Sequence, residues 1–514
     1  MDELSDESSR KNNLISTLAI IGGPVLSILF LQFIDLDPGH PAVTRTAAVA
    51  LLMAIWWITE AVPLAVTSLL PVILFPTLGI MSGGVVAPLY FNNIIFLFIG
   101  GFLVALAMQR WNLHKRIALR VLLWFGVRPR GILLGIMVAT AFISMWISNT
   151  ATAMMMIPIV LAIILNLEEA VGKAAVKKYA IAVLLAIAYA SSIGGIATLV
   201  GTPPNLSFVR IFDITFPDAP DISFTKWMLV AFPCTVALLV FVWWLLGVFY
   251  CPRKWKLEGI DSSLFRKQYE ELGPLTFEEK IVLADFVVLA LLWLSREPLN
   301  LGSITIPGWS QLFARPELLD DGTVAITLSF LLFLIPARKP GFSRIMDWNA
   351  VAQLPWGIVL LFGGGFALAS GFKESGLTLW FCNQLQGAAF LHPIILIALV
   401  CTVATFLTEM TSNTATAQML LPILGSLAVA VKMNPLLLMI PGTISCSCAF
   451  MLPVATPPNA IVFGTERLRV SDMAKTGFLI NWFGVVIVTA VMYLLGKPVF
   501  GIDFSQFPDW AIAK

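Results

Sequence analysis

A five-residue string that occurs twice constrains this chain more than any other feature. Ser148-Asn149-Thr150-Ala151-Thr152 returns as Ser412-Asn413-Thr414-Ala415-Thr416, and in each copy a proline, Pro158 or Pro422, follows nine residues after the asparagine. Both copies sit inside long apolar stretches. A polar cluster there has no water to bond with, so it must be buried in protein or line a cavity. The surroundings are those of a membrane: 58% of the residues are hydrophobic, 12% are charged and the mean hydropathy is +0.89. Such a composition makes an insoluble globule but an ordinary polytopic membrane protein.

The repeat is wider than the string. Gly100-Gly101-Phe102 returns 264 residues later as Gly364-Gly365-Phe366, the same offset that relates Asn149 to Asn413. Thr202-Pro203-Pro204-Asn205 returns as Thr456-Pro457-Pro458-Asn459, ten residues closer. Four blocks in one order define two homologous units.

Apolar windows of about 20 residues cross a bilayer. They place spans near Leu14 to Ile34, Thr44 to Ala61, Leu64 to Ile80 and Asn93 to Met108. The basic stretch from Arg110 to Arg130 suits a helix lying along the membrane surface. Gly131 to Leu167 is too long for one crossing and is interrupted by the first string, which predicts a re-entrant hairpin with the motif at its tip. Spans follow at Tyr179 to Val200, breaking at Gly201 to Asn205, and at Met228 to Tyr250. In the second unit they fall at Ile281 to Leu294, Thr323 to Pro336 and Trp356 to Ser370. A second hairpin, Ile394 to Val431, precedes Pro435 to Phe463, interrupted at Thr456 to Asn459, and Phe478 to Leu495.

The fold expected is an all-α polytopic membrane protein of about eleven crossings plus two re-entrant helical hairpins. An odd number of crossings separates the hairpins, so the units lie in opposite orientations, the inverted-topology repeat of secondary transporters. Lys and Arg gather on one side of this topology, at Arg10 and Lys11, the Arg110 to Arg130 group, Lys173 to Lys178, Arg253 to Lys267, Arg338 to Arg344 and Arg467 to Lys475. By the positive-inside rule the N-terminus is cytoplasmic and the C-terminus outside, in a multi-pass cell (inner or plasma) membrane protein. The stretch after the polar residues 1–13 is too long for a signal-peptide core and is read as the first span.

Helix ends at a hairpin tip present unpaired amides and a positive dipole end to an anion, while carbonyl and side-chain oxygens can hold a small cation. Ser, Asn and Thr serve both tasks without a fixed charge. Two near-identical anion-binding ends suit a small molecule with a carboxylate at each end, and neither hairpin core contains the Lys or Arg of a phosphate clamp.

These residues, with Thr59-Glu60-Ala61 followed by Pro63, resemble the divalent anion/sodium symporter (DASS) family, which includes the INDY-type di- and tricarboxylate transporters. The resemblance runs from Leu14 onward. It implies a homodimer in the lipid bilayer with an elevator mechanism. Its domains would be a cytoplasmic tail (1–13), scaffold helices of repeat 1 with the interfacial helix (14–130) and the transport-domain part of repeat 1 (131–250). A cytoplasmic connector (251–280), scaffold helices of repeat 2 (281–390) and the transport-domain part of repeat 2 (391–514) would follow. It implies substrate contacts from Asn149, Thr150, Ser412, Asn413 and Thr414, with Thr202, Pro203, Thr456 and Pro457 alongside. One sodium site would use Ser144, Ser148, Asn149 and the Ala197 backbone, the other Thr408, Thr411, Asn413 and the Ala455 backbone. Ala197 departs from the glycine common in the sodium-coupled pattern, and its methyl would crowd that approach.

The bland readings are packing glue for the Ser-Asn-Thr strings, kinks for the prolines, close packing for the glycine pairs and core packing for Met154, Met155 and Met156. Glu409, beside the second string, is either a proton relay or a hydrogen-bonded structural group. A channel would need rings of charge or carbonyls, an intramembrane enzyme a nucleophile with a base, and a primary pump a Walker pattern. None is found, and no basic run suits nucleic acid. The expected protein is a sodium-coupled importer of C4-dicarboxylates such as succinate, malate or fumarate, with no cofactor beyond sodium as coupling ion. The alternatives are a sodium-independent dicarboxylate/2-oxoglutarate exchanger and a sulfate or tricarboxylate carrier.

Overall fold

The computed structural model describes residues 2–125, 128–251, 263–301, 304–504 and 506–512; Arg253, Lys254 and Lys256 of the expected connector lie outside them. The chain opens with α1 (Asp2–Phe33), α2 (Pro41–Thr59), and the short α3 (Leu64–Thr67), α4 (Leu70–Thr77) and α5 (Gly83–Val86). Then come α6 (Asn93–Arg110) and α7 (Leu113–Trp124), which is shorter than the basic stretch containing it. The first hairpin is α8 (Pro129–Ser144) and α9 (Asn149–Val171), followed by α10 (Lys173–Ile196), α11 (Pro203–Thr215) and α12 (Phe224–Phe249).

The second unit follows α13 (Ser263–Glu271) and runs through α14 (Phe277–Leu294), α15 (Asp321–Leu334), α16 (Trp348–Val351), α17 (Trp356–Glu374) and α18 (Leu377–Gln384). The second hairpin is α19 (Pro393–Thr408) and α20 (Asn413–Ala430), and α21 (Leu436–Cys446), α22 (Pro457–Phe463) and α23 (Val470–Phe500) complete it. Among the described residues the strands form a single antiparallel ribbon, Leu299–Leu301 against Ile304–Ile306. Nine helices among the described residues are long and apolar enough to cross a membrane. Two of them, α9 and α20, are hairpin arms; the other seven, with α3–α4, α14, α15 and α21–α22, make up the eleven crossings expected.

Local chemistry sets several of these boundaries. Asn92 caps α6 by accepting from the amides of Ile94 and Ile95, Asp320 caps α15 through the Thr323 amide, and Thr276 with Glu279 forms a capping box on α14. The amphipathic α7 is tied down by Arg116, whose Nε lies 2.7 Å from Glu279 and whose Nη1 donates to the Gly273 carbonyl at 2.9 Å.

The core is organised around α10, which is buried at every position from Tyr179 to Ile196. It packs against α8, α9, α12 and α22. The α8 contact is close enough that a Cβ on Gly194 would lie 2.4 Å from the Ala141 carbonyl oxygen. The two units interleave: α22 of the second packs on α9 and α10 of the first, and α11 of the first packs on α20 and α21 of the second. The glycine pairs are close-packing positions, as expected. A Cβ on Gly100 would lie 2.6 Å from Ala325, and one on Gly364 would lie 2.5 Å from the Ser68 carbonyl. Met154 is the exception to the methionine expectation. Met156 is buried, but Met154 is exposed on the outer face of α9.

Candidate functional site

The first hairpin turns over residues 145–148. Helix α8 ends at Ser144, and Ser148 starts α9 as its N-cap, its hydroxyl accepting from the Ala151 amide at 3.3 Å. Asn149 and Thr150 therefore occupy the first turn of α9, where amides lack partners within the helix. The Ser144 hydroxyl lies 2.7 Å from Asn149 Oδ1 and 2.7 Å from the Ser191 carbonyl oxygen on α10. One hydroxyl proton faces two acceptors, so three oxygens converge with a single hydrogen among them.

The second tip repeats this arrangement. The Thr408 hydroxyl lies 2.7 Å from Asn413 Oδ1 and 2.8 Å from the Cys446 carbonyl oxygen at the end of α21. Ser412 is the N-cap residue of α20 by backbone conformation, and Thr414 is buried in its first turn. Thr411 turns its hydroxyl to the Leu407 carbonyl at 3.0 Å and to Thr416 Oγ1. Tip and broken helix are thus stitched together within each repeat by a hydroxyl, an asparagine and a backbone carbonyl.

The breaks begin earlier than the prolines that flag them. Helix α10 stops at Ile196 with Ala197 as its C-cap and α21 at Cys446, and the chain is unwound through residues 198–202 and 447–456. Pro203 and Pro457 stand at the start of α11 and α22, where a missing amide hydrogen costs nothing and the fixed φ suits the helix. These prolines begin half-helices and are not kinks. Thr202 and Thr456 are the N-cap residues, and Thr456 Oγ1 accepts from the Asn459 amide at 3.3 Å.

Each unwound segment is held by an asparagine that closed the repeated Thr-Pro-Pro-Asn block, although sequence reasoning gave it no role. Asn205 Nδ2 donates to the carbonyls of Gly195 (3.1 Å) and Thr198 (2.7 Å), and Asn459 Nδ2 to those of Ala449 (3.2 Å) and Leu452 (3.0 Å). Periodicity could not reveal this, because the carbonyl partners carry no side-chain signature. Gly195 was missed for the same reason. A Cβ there would lie 2.5 Å from Asn149 Oδ1. Ala197, by contrast, continues the helical backbone at φ −62°, ψ −30°, with its amide donating to Gly194. Gly195 thus closely approaches the tip, two residues before the alanine that departs from the family pattern.

Glu409 is a buried hydrogen-bonded clasp. Its Oε1 accepts from the amides of Phe450 (2.7 Å) and Met451 (2.9 Å) and from Asn481 Nδ2 (2.7 Å), and its Oε2 accepts from the Leu452 amide at 3.1 Å. One carboxylate thus satisfies three amides freed by the second break and ties them to α23. In the first repeat the Thr198 hydroxyl does the corresponding work, donating to the Met145 carbonyl and accepting from the Gly201 amide at 3.1 Å.

A cavity of about 480 Å³ opens between α6, α11 and the 295–322 connector, with Asp213, Asp221, Glu297 and Asp321 in its walls. It lies apart from both tips. Asn149, Thr150, Ser412 and Asn413 are half-buried, and Met410, Val454 and Pro457 next to them are exposed.

A helical bundle of two inverted units, each supplying a polar re-entrant tip and a helix unwound beside it, is the architecture of a secondary transporter. Residues 21–502 match the sodium:sulfate symporter transmembrane region. The chain belongs to that family, which is one of transporters and not of enzymes. It is 43% identical over 505 residues to the sodium-dependent dicarboxylate transporter SdcS of Staphylococcus saprophyticus, covering 97% of this chain and 95% of that one. The SdcS of Staphylococcus aureus (strain MRSA252) is likewise 43% identical, with the same coverage. Among solved structures, the YdaH transporter of Alcanivorax borkumensis, described as having an unusual topology, superposes with a TM-score of 0.55 over 83% of this chain and 89% of its own, at 14% identity. That likeness is one of fold.

Proposed function

We propose that this protein is a sodium-coupled importer of C4-dicarboxylates such as succinate, malate or fumarate, working by an elevator-type movement. The observation that carries the reading is the duplicated oxygen cluster, Ser144–Asn149–Ser191 and Thr408–Asn413–Cys446, each beside a helix N-terminus. Each cluster has more acceptor oxygens than donor hydrogens, the chemistry that suits a small hard cation. The adjoining starts of α9 and α20 favour a carboxylate by dipole and amide. Names of relatives 43% identical over nearly the full length point to the same ions.

In this reading the sodium sites extend from the two clusters to Ser148 and the Ala197 backbone, and to Thr411 and the Ala455 backbone. Sodium neutralises the acceptor excess and fixes Asn149 and Asn413. Their carboxamides, with Thr150, Ser412 and Thr414, then receive the dianion, flanked by Thr202, Pro203, Thr456 and Pro457. The cations bias which states bind substrate, since a ligand shifts an equilibrium only through its differential affinity. The hairpins, broken helices, α12 and α23 (131–250 and 391–514) travel as one transport domain against scaffold helices from 14–130 and 281–390, in a homodimer with cytoplasmic N-termini and external C-termini.

The test is uptake of labelled succinate into proteoliposomes under an inward sodium gradient, with choline replacing sodium in parallel and with or without unlabelled succinate inside. Sodium-dependent uptake into empty vesicles is expected. Uptake that ignores sodium but requires internal succinate would make the protein an exchanger. Transport of sulfate with no movement of succinate would overturn the two-carboxylate argument.

A further inference from the structure

The inverted repeat gives every residue near the moving interface a counterpart, and the counterparts are in opposite environments. Gly101 on α6 corresponds to Gly365 on α17, Met154 on α9 to Gln418 on α20, and Val200 in the first break to Val454 in the second. In the structure Gly101 faces Val200, with a Cβ on the glycine falling 3.2 Å from Val200 Cγ1. Gly365 instead faces Gln418, with a Cβ there falling 2.4 Å from the carboxamide carbon. The two residues left over, Met154 and Val454, are 55% and 84% exposed.

Exchanging the conformations of the two repeats predicts the other end state. Gly101 then meets Met154, Gly365 meets Val454, and Val200 and Gln418 become exposed. The exchange is asymmetric in one respect. Gln418 is 0% exposed here, and neither its Oε1 nor its Nε2 has a hydrogen-bond partner among the described residues. Its counterpart Met154 would enter the equivalent position with no polar group to desolvate. A buried amide without a partner is unfavourable, and leaving that environment relieves it.

We infer that Gln418 sets the resting balance between the two end states: its buried, unpaired carboxamide destabilises the arrangement seen here and drives the transport domain toward the opposite one. The inference rests on the elevator reading. In that reading Gln418 touches neither ion nor substrate and acts through the surface it presents to Gly365. The penalty corresponds to a population ratio shifted on the order of tenfold.

The experiment reads both end states at once. Single cysteines are introduced as Val454→Cys, exposed in this arrangement, and Val200→Cys, exposed in the opposite one; the six native cysteines are buried and serve as the background. Labelling by a membrane-impermeant maleimide is measured in vesicles of each orientation. Gln418→Met is expected to raise the labelling rate at position 454 and lower it at 200, changing their ratio about tenfold. Met154→Gln, exposed here but carried into the buried position of the opposite arrangement, penalises that arrangement and is expected to move the ratio in the same direction. A ratio that both variants leave at the wild-type value, or move in opposite directions, overturns the inference. Wild-type labelling with and without sodium plus succinate separates this from failure of the elevator reading. If the two positions fail to respond in opposite directions there, the movement itself is absent and both readings fall.

Discussion

At the scale of single residues, the site is built on acceptors that outnumber their donors. Ser144→Ala and Thr408→Ala each remove one hydroxyl from one three-oxygen cluster. Each is expected to raise the sodium concentration for half-maximal uptake severalfold, read from sodium titrations of succinate uptake. Gly195→Ala and Ala197→Gly form a sharper pair. The first drives a methyl to within 2.5 Å of Asn149 Oδ1, so uptake should fall at least tenfold with the protein still present in the membrane. The second removes a methyl from a helical position and should cost about 1 kcal/mol of stability while sodium dependence stays as it was. If Ala197→Gly changed sodium dependence and Gly195→Ala did not, the close approach would have been assigned to the wrong residue. Glu409→Gln leaves three amides and the Asn481 carboxamide around a group with one acceptor oxygen in place of a carboxylate. A loss of about 3 kcal/mol is expected, visible as a lower unfolding temperature in detergent.

At the scale of elements, the broken helices depend on what replaces their lost backbone bonds. The prolines mark where the second half-helix starts, and Asn205, Asn459, Thr198 and Glu409 hold the residues before it. Elsewhere, Asp347 caps α16 through the Ala350 amide and pairs with Arg110 at the end of α6 at 2.5 Å. The Arg110 guanidinium is the main cause holding the Asp347 carboxyl below the usual carboxylate range. A depressed folded value means that this contribution is fully present above the unfolded value of about 3.9 and is lost as pH falls through the folded value. Asp347→Asn should therefore destabilise the protein at neutral pH, and its difference from wild type should shrink below about pH 4. Thermal unfolding at both pH values checks this; an unchanged difference would remove the Arg110 pair from the account.

At the scale of the whole molecule, the units are interleaved and not merely juxtaposed. Helix α22 sits on α9 and α10, α11 sits on α20 and α21, and the Arg467–Glu168 pair and the Tyr189–Phe450 edge contact join the repeats again. Neither tip is therefore supported by its own repeat alone. The odd number of crossings predicts that tags at the two termini are reached from opposite faces of the membrane. Protease protection of each tag in sealed, oriented vesicles reads this, and protection of both from the same face would remove the proposed topology.

The sequence by itself determined the class, the two hairpins, their duplication and the tip residues Asn149 and Asn413. Each of these is written in local signals: an apolar window, a polar string inside it, a proline at fixed spacing. The tertiary structure alone decided which oxygens complete the clusters, because the Ser191 and Cys446 carbonyls belong to every residue's backbone and carry no sequence mark. It also decided that Glu409 clasps freed amides, that Gly195 closely approaches Asn149, and that Gln418 is buried while Met154 is exposed. The last of these has the plainest physical reason. Two repeats of like sequence must adopt unlike conformations for a bundle to favour one side, and a repeated sequence cannot say which copy adopts which.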